Sequence, residues 1–341
     1  MSIPVRNGLQ AAKIKHFYGS KYLLNPRIHE QILDKLNLEK VYKNSEKLKI
    51  LDLYPGPGQH SAILYNRLKP TQYGLMETRP DFIAALHDNY NGYALQVFQK
   101  DPYEWTSYTN LIDEERKFVP EKQPGDTLND RFLVVANLTN ASQEGLLMQW
   151  FNCIGNRNWL QRFGLVKMLL WVPVSAAAKL MAIPSMQLRS KCSVVREAFT
   201  DTKLVAISDA TAKKQFDESI WKEGAPIIFE NEETHPSRGS GIALLEVNPK
   251  SHTIDLDNWD YITKHLLILK KTPLRDAVES LGHGAKEYFS QKVKDPNFLS
   301  KCPVDLTNDE FVFLADLFHL WPFKPDIYVD FIDVYQEEGL M

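Results

Sequence analysis

The chain of 341 residues contains little cysteine, no long apolar run and no low-complexity tract. Its three cysteines, Cys153, Cys192 and Cys302, lie far apart, and none has a partner at the spacing of a redox or zinc motif. An odd number of scattered cysteines argues against a disulfide framework and favours a reducing compartment. No stretch reaches 18 consecutive apolar residues, so we predict no membrane-spanning helix and no membrane partner.

Common catalytic and metal-binding patterns are missing as well. The sequence contains no phosphate-binding P-loop and no recognisable Ser-His-Asp arrangement. Its histidines, such as His60 and His265, do not stand at metal-ligand spacing from cysteines or acidic residues. Isolated histidines are more often structural than catalytic. We therefore predict no metal site.

Charge is distributed unevenly, although the net charge is only −3. Residues 151–200 carry seven basic side chains and one acidic one, whereas residues 301–341 carry two basic and nine acidic ones. Two segments of opposite charge suggest two different partners, one of them a nucleic acid. Five basic residues precede the first acidic one, Glu30. This is as typical of a weak mitochondrial targeting segment as of an ordinary basic N-terminus.

The first two-thirds of the chain alternate between strand-like apolar runs and longer polar or amphipathic stretches. The apolar runs fall at residues 49–54, 72–77, 94–98, 132–137, 166–173, 204–208 and 242–247. The first five are far enough apart for crossover helices, which parallel strands require. We therefore predict a seven-stranded α/β domain over residues 1–255, interrupted by long polar inserts at 101–130 and 209–240.

Strand patterns stop after this domain, and apolar residues recur at helical spacing instead. Such segments cover residues 259–270, 273–281, 285–293 and 307–320. They predict a small helical domain over residues 256–325. Residues 326–341 combine acidic and aromatic side chains and form a predicted C-terminal tail.

A glycine-bearing turn follows the first predicted strand, in the run D-L-Y-P-G-P-G at residues 52–58. Glycine lets the backbone approach a ligand, although many turns of this kind are only structural. Glu77 ends the next strand, 21 residues after Gly56, where dinucleotide-binding folds place the acid that binds a ribose. Asp101 follows the third strand and Asn137 ends the fourth. All four features face the crevice in which open α/β sheets bind ligands.

These residues resemble the motifs of the ribosomal RNA adenine N6-dimethyltransferase family, over about residues 15–300. The resemblance implies the fold of the S-adenosylmethionine-dependent methyltransferases, which is a Rossmann-like sheet. It also implies a cofactor site in which the N-terminal run G-S-K-Y-L takes part. The cofactor-binding positions that it assigns are Leu23, Gly56, Gly58, Glu77, Asp101 and Asn137.

Two departures from the family pattern argue against methyl transfer. The first glycine of the turn is replaced by Tyr54, whose ring would crowd the methionine part of the cofactor. The catalytic run Asn-Leu-Pro-aromatic becomes Asn137-Leu138-Thr139-Asn140, which lacks the ring that stacks a flipped adenine. Such stacking is worth ~1–3 kcal/mol per base. We therefore predict a vestigial cofactor site, no catalytic residue and no required cofactor, with S-adenosylmethionine binding left open.

The chain resembles more closely a branch of this family, the fungal mitochondrial transcription factors of the B type. The resemblance rests on long runs such as D-P-Y-E-W, S-L-G-H-G and W-P-F-K-P-D. It implies a mitochondrial matrix protein that binds the single-subunit mitochondrial RNA polymerase and melts promoter DNA. Nothing in the sequence indicates self-association, so we expect a monomer. Two alternatives remain, an active ribosomal RNA adenine dimethyltransferase and an RNA-binding module that acts on ribosomal RNA.

Aromatic and basic residues are candidates for binding the melted promoter. Tyr103 and Trp105 lie beside the predicted cleft and are expected either to stack on flipped non-template bases or to pack the insert onto the core. A cluster of basic residues is expected either to contact phosphates or to form an ordinary solvated face. Its members are Arg157, Arg162, Lys179, Arg189 and Lys191.

The acidic tail has no Coulombic reason to bind DNA. Its interleaved apolar side chains predict a role in the basic template channel of the polymerase, unless the tail packs on its own domain. The residues assigned to this contact are Tyr328, Phe331, Asp333 and Tyr335.

Overall fold

The structure is a computed structural model, and it describes residues 2–5, 14, 17–222 and 224–327. The described residues divide into two compact units. One is drawn from residues 1–181 and 195–251, and the other from 182–194 and 252–341. The domain limits that the sequence suggests, at residues 255 and 325, remain predictions.

The first unit is built on a mixed sheet of eight strands. The strands of this unit are β1 Tyr22–Leu23, β2 Lys49–Leu53, β3 Gln72–Glu77, β4 Leu95–Gln99, β5 Leu128–Asn137, β6 Leu165–Pro173, β7 Thr200–Ile207, β8 Ile227–Ile228, β9 Thr234–His235 and β10 Ile242–Pro249. The sheet has the order β4-β3-β2-β5-β6-β10-β7-β8, while β1 and β9 form a separate antiparallel pair.

Strands β2 to β6 run parallel to one another, and β10 runs antiparallel to both β6 and β7. All seven predicted strands are present, which confirms the α/β methyltransferase-like fold. The prediction missed β8, which extends the sheet beside β7, and the β1–β9 pair. Each of these strands has only two residues, too few to show a periodic pattern.

Helices connect these strands. They are α1 Pro26–Leu36, α2 Gln59–Leu68, α3 Pro80–Tyr90, α4 Trp105–Tyr108, α5 Glu144–Asn156, α6 Val174–Met181, α7 Lys191–Phe199 and α8 Ser219–Lys222. Helix α7 spans the boundary at residue 195. The central strand β6 is buried along its whole length, as its continuous apolar sequence predicts. Its only charged residue, Lys167, forms an ion pair with Glu246 on β10.

The two inserts contain more regular structure than their polar composition predicts. In the first, α4 continues directly into a π-helix over Thr109–Glu114, and Leu111 and Ile112 are buried there. The second contains short 3-10 helices at Ala210–Gln215 and Asn231–Glu233 in addition to α8, β8 and β9. A few well-placed apolar residues anchor these segments, and composition averaged over the whole insert hides them.

The second unit is helical, as predicted. Its helices are α9 Leu256–Ile268, α10 Leu274–Ala277, α11 Ala285–Lys292, α12 Pro296–Ser300 and α13 Asn308–His319. Helix α13 begins with a reciprocal cap in which Thr307 and Glu310 bond each other's backbone N–H groups. In the part of the chain that the structure describes, no helix is long and apolar enough to cross a membrane.

Candidate functional site at the carboxyl edge of the sheet

The carboxyl ends of four adjacent strands bring the predicted cleft residues to one edge of the sheet. Glu77 is the last residue of β3 and Asn137 is the last residue of β5. Gly56 lies in the turn after β2, and Asp101 comes two residues after the end of β4. Parallel strands end at the same edge, so their order along the chain becomes a set of neighbouring positions in space.

Glu77 is fully buried, and the backbone of this chain surrounds its carboxylate. The carboxylate oxygens accept N–H groups from Gly56 at 3.3 Å and from Thr78 and Arg79 at 3.0 Å each. Burial raises the pKa of Glu77, and the charge of Arg79 opposes that rise. The carboxylate oxygens of Glu77 that would bind a ribose therefore already accept hydrogen bonds from the backbone of this chain.

Tyr54 links two of these strand ends. Its backbone has φ 55°, in the left-handed region that glycine adopts without strain. Its hydroxyl donates to Oδ1 of Asp101 at 2.7 Å, and burial is the main cause that raises the pKa of Tyr54. The same Asp101 oxygen accepts the backbone N–H of Tyr103 at 2.9 Å. Asp101, which the resemblance assigns to the cofactor, therefore bonds two groups of its own chain.

The N-terminal segment lies against the glycine turn. A Cβ atom added at Gly56 would lie 2.3 Å from the ring of Tyr22, so this ring occupies the space that the glycine leaves open. Tyr22 is buried and packs edge-on against Phe82 at 5.5 Å. Leu23, the next residue, is also buried, and its carbonyl bonds a ring nitrogen of His29 at 3.0 Å.

The run Asn137-Leu138-Thr139-Asn140 holds this segment in place. Asn137 Nδ2 donates to the carbonyl of Lys21 at 2.8 Å, and Thr139 Oγ1 accepts the N–H of Lys21 at 2.7 Å. Asn140 Nδ2 donates to the carbonyl of Tyr18 at 2.6 Å. The sequence shows Thr139 and Asn140 only as lost family residues. Their bonding role was missed because each partner lies 118 or 122 residues earlier in the chain.

S-adenosylmethionine does not fit the site as these side chains stand. The cavity beside the glycine turn, which Tyr22, Asp52 and Asn137 help to line but Glu77 and Asp101 do not, has a volume of about 20 Å³, which is room for about one water molecule. Pockets for small ligands usually measure roughly 300–1,000 Å³. Glu77 and Asp101, which would hold the nucleoside, already bond their own chain. The fold is that of a methyltransferase, but the hydrogen bonds of Glu77 and Asp101 are made within the chain.

The two aromatic residues predicted to stack on bases differ in their surroundings. Tyr103 is 55 % exposed. Trp105 is half-buried, and its ring meets Trp159 edge-on at 6.5 Å. Trp159 in turn stacks on the buried Trp150 at 4.8 Å. Tyr103 is thus open to a ligand, whereas Trp105 belongs in part to the packing of the insert.

Three of the predicted basic residues lie on the surface of the first unit. Arg157 is exposed. Arg162 bonds both carboxylate oxygens of Asp113, at 2.6 and 2.7 Å, and Lys179 pairs with Glu144 at 2.7 Å. Exposed pairs of this kind are worth about 0–1 kcal/mol, so a phosphate could displace the carboxylate at little cost.

The remaining two basic residues belong to the second unit, and Arg189 corrects the prediction. Its side chain is fully buried, and its guanidinium donates to the carbonyls of Ala182 at 3.3 Å and Leu306 at 2.6 Å. A side chain without exposed surface does not contact a phosphate, so Arg189 serves the interior of the helical unit. Lys191 is partly exposed and pairs with Asp260 at 2.6 Å.

The predicted tail contacts lie outside the described residues. These contacts are Tyr328, Phe331, Asp333 and Tyr335. Across residues 17–222 and 224–327, and at the few described positions before them, no three histidine, cysteine or acidic side chains form a group that could hold a metal ion.

Asp52, the first residue of the glycine-turn motif, makes a testable contribution to the pH dependence of stability. Ser61 and Tyr73 donate to its Oδ2 at 2.6 and 3.0 Å, but burial dominates and raises the pKa of Asp52 to about 7. The unfolded chain loses this proton near pH 3.8, so raising the pH from about 4 to about 7 favours unfolding by about 1.4 kcal/mol per unit.

Because other groups titrate in the same range, the measurement compares the natural chain with Asp52→Asn. As the pH rises from 4 to 7, the free energy of unfolding of the natural chain is expected to fall relative to that of the variant. Above pH 7 the difference between the two is expected to stay constant. Urea unfolding at each pH gives the difference. A difference that does not depend on pH would show that Asp52 is ionised in the folded chain.

Comparison with known proteins agrees with the fold. The family model described as ribosomal RNA adenine dimethylase matches residues 11–316. Proteins named mitochondrial transcription factor 1 from Lachancea kluyveri and Saccharomyces cerevisiae are 58 % and 55 % identical, over 99 % of this chain and of each relative. A solved dimethyladenosine transferase from Plasmodium falciparum shares the fold, with a TM-score of 0.58 and 15 % identity over 87 % of this chain and 96 % of that chain. The chain therefore belongs to the ribosomal RNA adenine dimethylase family and, within it, to the group of the mitochondrial transcription factor 1 proteins.

Proposed function

We propose that this chain is a mitochondrial transcription initiation factor that acts without methyl transfer. It binds the single-subunit mitochondrial RNA polymerase in the matrix, as a monomer, and helps to recognise and open promoter DNA. The observation that carries the proposal is the near full-length identity of 55–58 % to proteins named mitochondrial transcription factor 1.

The geometry of the cleft supports the non-catalytic part of the proposal. Residues 137–140, which replace the family's catalytic motif, bond the N-terminal segment. The hydroxyl of Tyr54 donates a hydrogen bond to the carboxylate of Asp101. A methyltransferase needs these groups free for cofactor and substrate. The chain accordingly uses the old cleft as a rigid scaffold and requires no S-adenosylmethionine.

Exposed residues of the first unit and the tail complete the proposal. Tyr103, together with Trp105, holds unpaired non-template bases. Surface cations of the first unit bind the phosphates of the strand. The tail contributes contacts to the polymerase and the template near the start site through Tyr328, Phe331, Asp333 and Tyr335.

The test is the fluorescence of a base analogue placed at the start region of a promoter. A rise that requires both this chain and its polymerase is the expected result. In parallel, calorimetric titration with S-adenosylmethionine is expected to give no saturable heat. Absence of opening, together with methyl transfer to ribosomal RNA adenines, would establish the dimethyltransferase alternative instead.

The surface cations give a separate prediction. For single strands, log K falls with log [salt] with a slope of about −0.7 for each phosphate contact. Changing Arg157, Arg162 and Lys179 together to glutamine is expected to make the slope for single-stranded promoter DNA less steep by about 2. The matched control changes three exposed lysines that precede β2 and β3: Lys43, Lys47 and Lys69. Equal effects of the two triple variants would show that the first set is an ordinary solvated face.

A further inference from the structure

Arg79 is a cation at the carboxyl edge of the sheet whose charge has no direct ion-pair partner among the described residues. It follows Glu77 by two residues and occupies the N-cap position of α3. Its guanidinium carbon lies 5.1 Å from the ring centre of Tyr54, 5.5 Å from that of Tyr18 and 5.8 Å from that of Phe82. Three aromatic rings thus hold one half-buried arginine in a fixed position.

The hydrogen bonds of Arg79 leave donors to spare. Nη1 donates to the hydroxyl of Ser20 at 3.0 Å. A guanidinium has five N–H donors in a planar fork, and this geometry suits the oxygens of a phosphate. Glu77 and Asp81 are the nearest acids in sequence. Glu77 already accepts three backbone N–H groups, and among the described residues no side-chain ion pair joins either acid to the guanidinium of Arg79.

The same residues connect Arg79 to the exposed ring of Tyr103. The ring of Tyr54 lies against the guanidinium, its hydroxyl bonds Asp101, and the same Asp101 oxygen accepts the N–H of Tyr103. Tyr18, whose ring centre lies 5.5 Å from the guanidinium carbon, is 40 % exposed. A fixed cation with one exposed ring beside it and a second reached through Tyr54 and Asp101 suits an unpaired strand, because phosphates meet the charge while bases stack.

We propose that Arg79 binds a backbone phosphate of single-stranded DNA whose neighbouring base stacks on Tyr103. This proposal rests on the proposed function and adds a residue that the sequence analysis did not identify. A duplex does not suit the site, since its base faces are covered and the rings have nothing to stack on. The only sequence signal is a single arginine two residues after the acid that ends β3.

The test measures binding of a fluorescent single-stranded oligonucleotide by the full chain, by anisotropy, over a series of salt concentrations. Arg79→Gln is expected to make the slope of log K against log [salt] less steep by about 0.7, the value for one phosphate contact. Lys69→Gln removes an equal charge at an exposed lysine that precedes β3 and is expected to leave the slope unchanged. An unchanged slope in Arg79→Gln, or a wild-type chain that does not bind the oligonucleotide, overturns the proposal.

A second variant covers the case in which Arg79→Gln disturbs the aromatic packing and does not fold. Arg79→Lys keeps the charge but loses the planar fork, so it is expected to keep the slope and bind several-fold more weakly. Wild-type affinity in this variant contradicts a phosphate held by the fork. If promoter opening still depends on the polymerase and on Tyr103 while Arg79 variants bind normally, the proposed function stands and only the assignment of Arg79 fails.

Discussion

Replacing Tyr103 by alanine is expected to lower the equilibrium for promoter opening about tenfold while leaving the stability of the folded chain unchanged. Stacking of one base on an aromatic ring is worth ~1–3 kcal/mol, and 1.4 kcal/mol corresponds to a factor of ten. The ring is 55 % exposed, so its removal leaves no cavity in the core. The measurement is the fluorescence of a base analogue in the start region, with the polymerase present, together with a thermal unfolding curve.

Two further variants separate stacking from packing. Tyr103→Phe keeps the ring and is expected to open the promoter normally. Trp105→Ala is expected to lower both the unfolding temperature and the equilibrium for promoter opening. The Trp105 ring packs edge-on against Trp159, with 6.5 Å between the ring centres. Normal opening by Tyr103→Ala would show that this exposed ring does not hold a base.

Arg189→Met is expected to lower the free energy of unfolding by about 3 kcal/mol without altering the salt dependence of DNA binding. The guanidinium donates to the carbonyls of Ala182 and Leu306, both fully buried. Leaving a buried acceptor without its donor costs ~1–3 kcal/mol. Urea unfolding followed by tryptophan fluorescence measures the loss.

Lys191→Met is the matched control, two residues further along the chain. Its ion pair with Asp260 is partly exposed, with side-chain exposures of 34 % and 41 %, so the expected cost is below about 1 kcal/mol. A small stability change in Arg189→Met, combined with a flatter salt dependence of DNA binding, would return Arg189 to the set of phosphate contacts that the sequence suggests.

Arg189 and Lys191 illustrate why local sequence does not separate interior from surface cations. Both occur in the same basic segment, yet one is buried and the other is partly exposed. Burial depends on which carbonyls the fold brings to the guanidinium. For Arg189 the bond to the carbonyl of Leu306 comes from 117 residues further along the chain.

The sequence by itself determined the class of fold and the place of the site. Apolar periodicity and crossover lengths predicted the parallel strands, and strand order along the chain predicted that Gly56, Glu77, Asp101 and Asn137 share one edge. These features depend on local patterns and on the geometry of parallel strands, which hold whatever the side chains contact.

Only the tertiary structure decided what those side chains do at that edge. Tyr54 reaches Asp101, Asn137 and Asn140 bond the N-terminal segment, and the rings of Tyr18 and Tyr54 lie against Arg79. Each of these contacts joins segments that are remote in the chain, so no window of sequence contains both partners. Long-range side-chain contacts, which local sequence patterns do not predict, therefore fill the cleft that the fold would otherwise leave open.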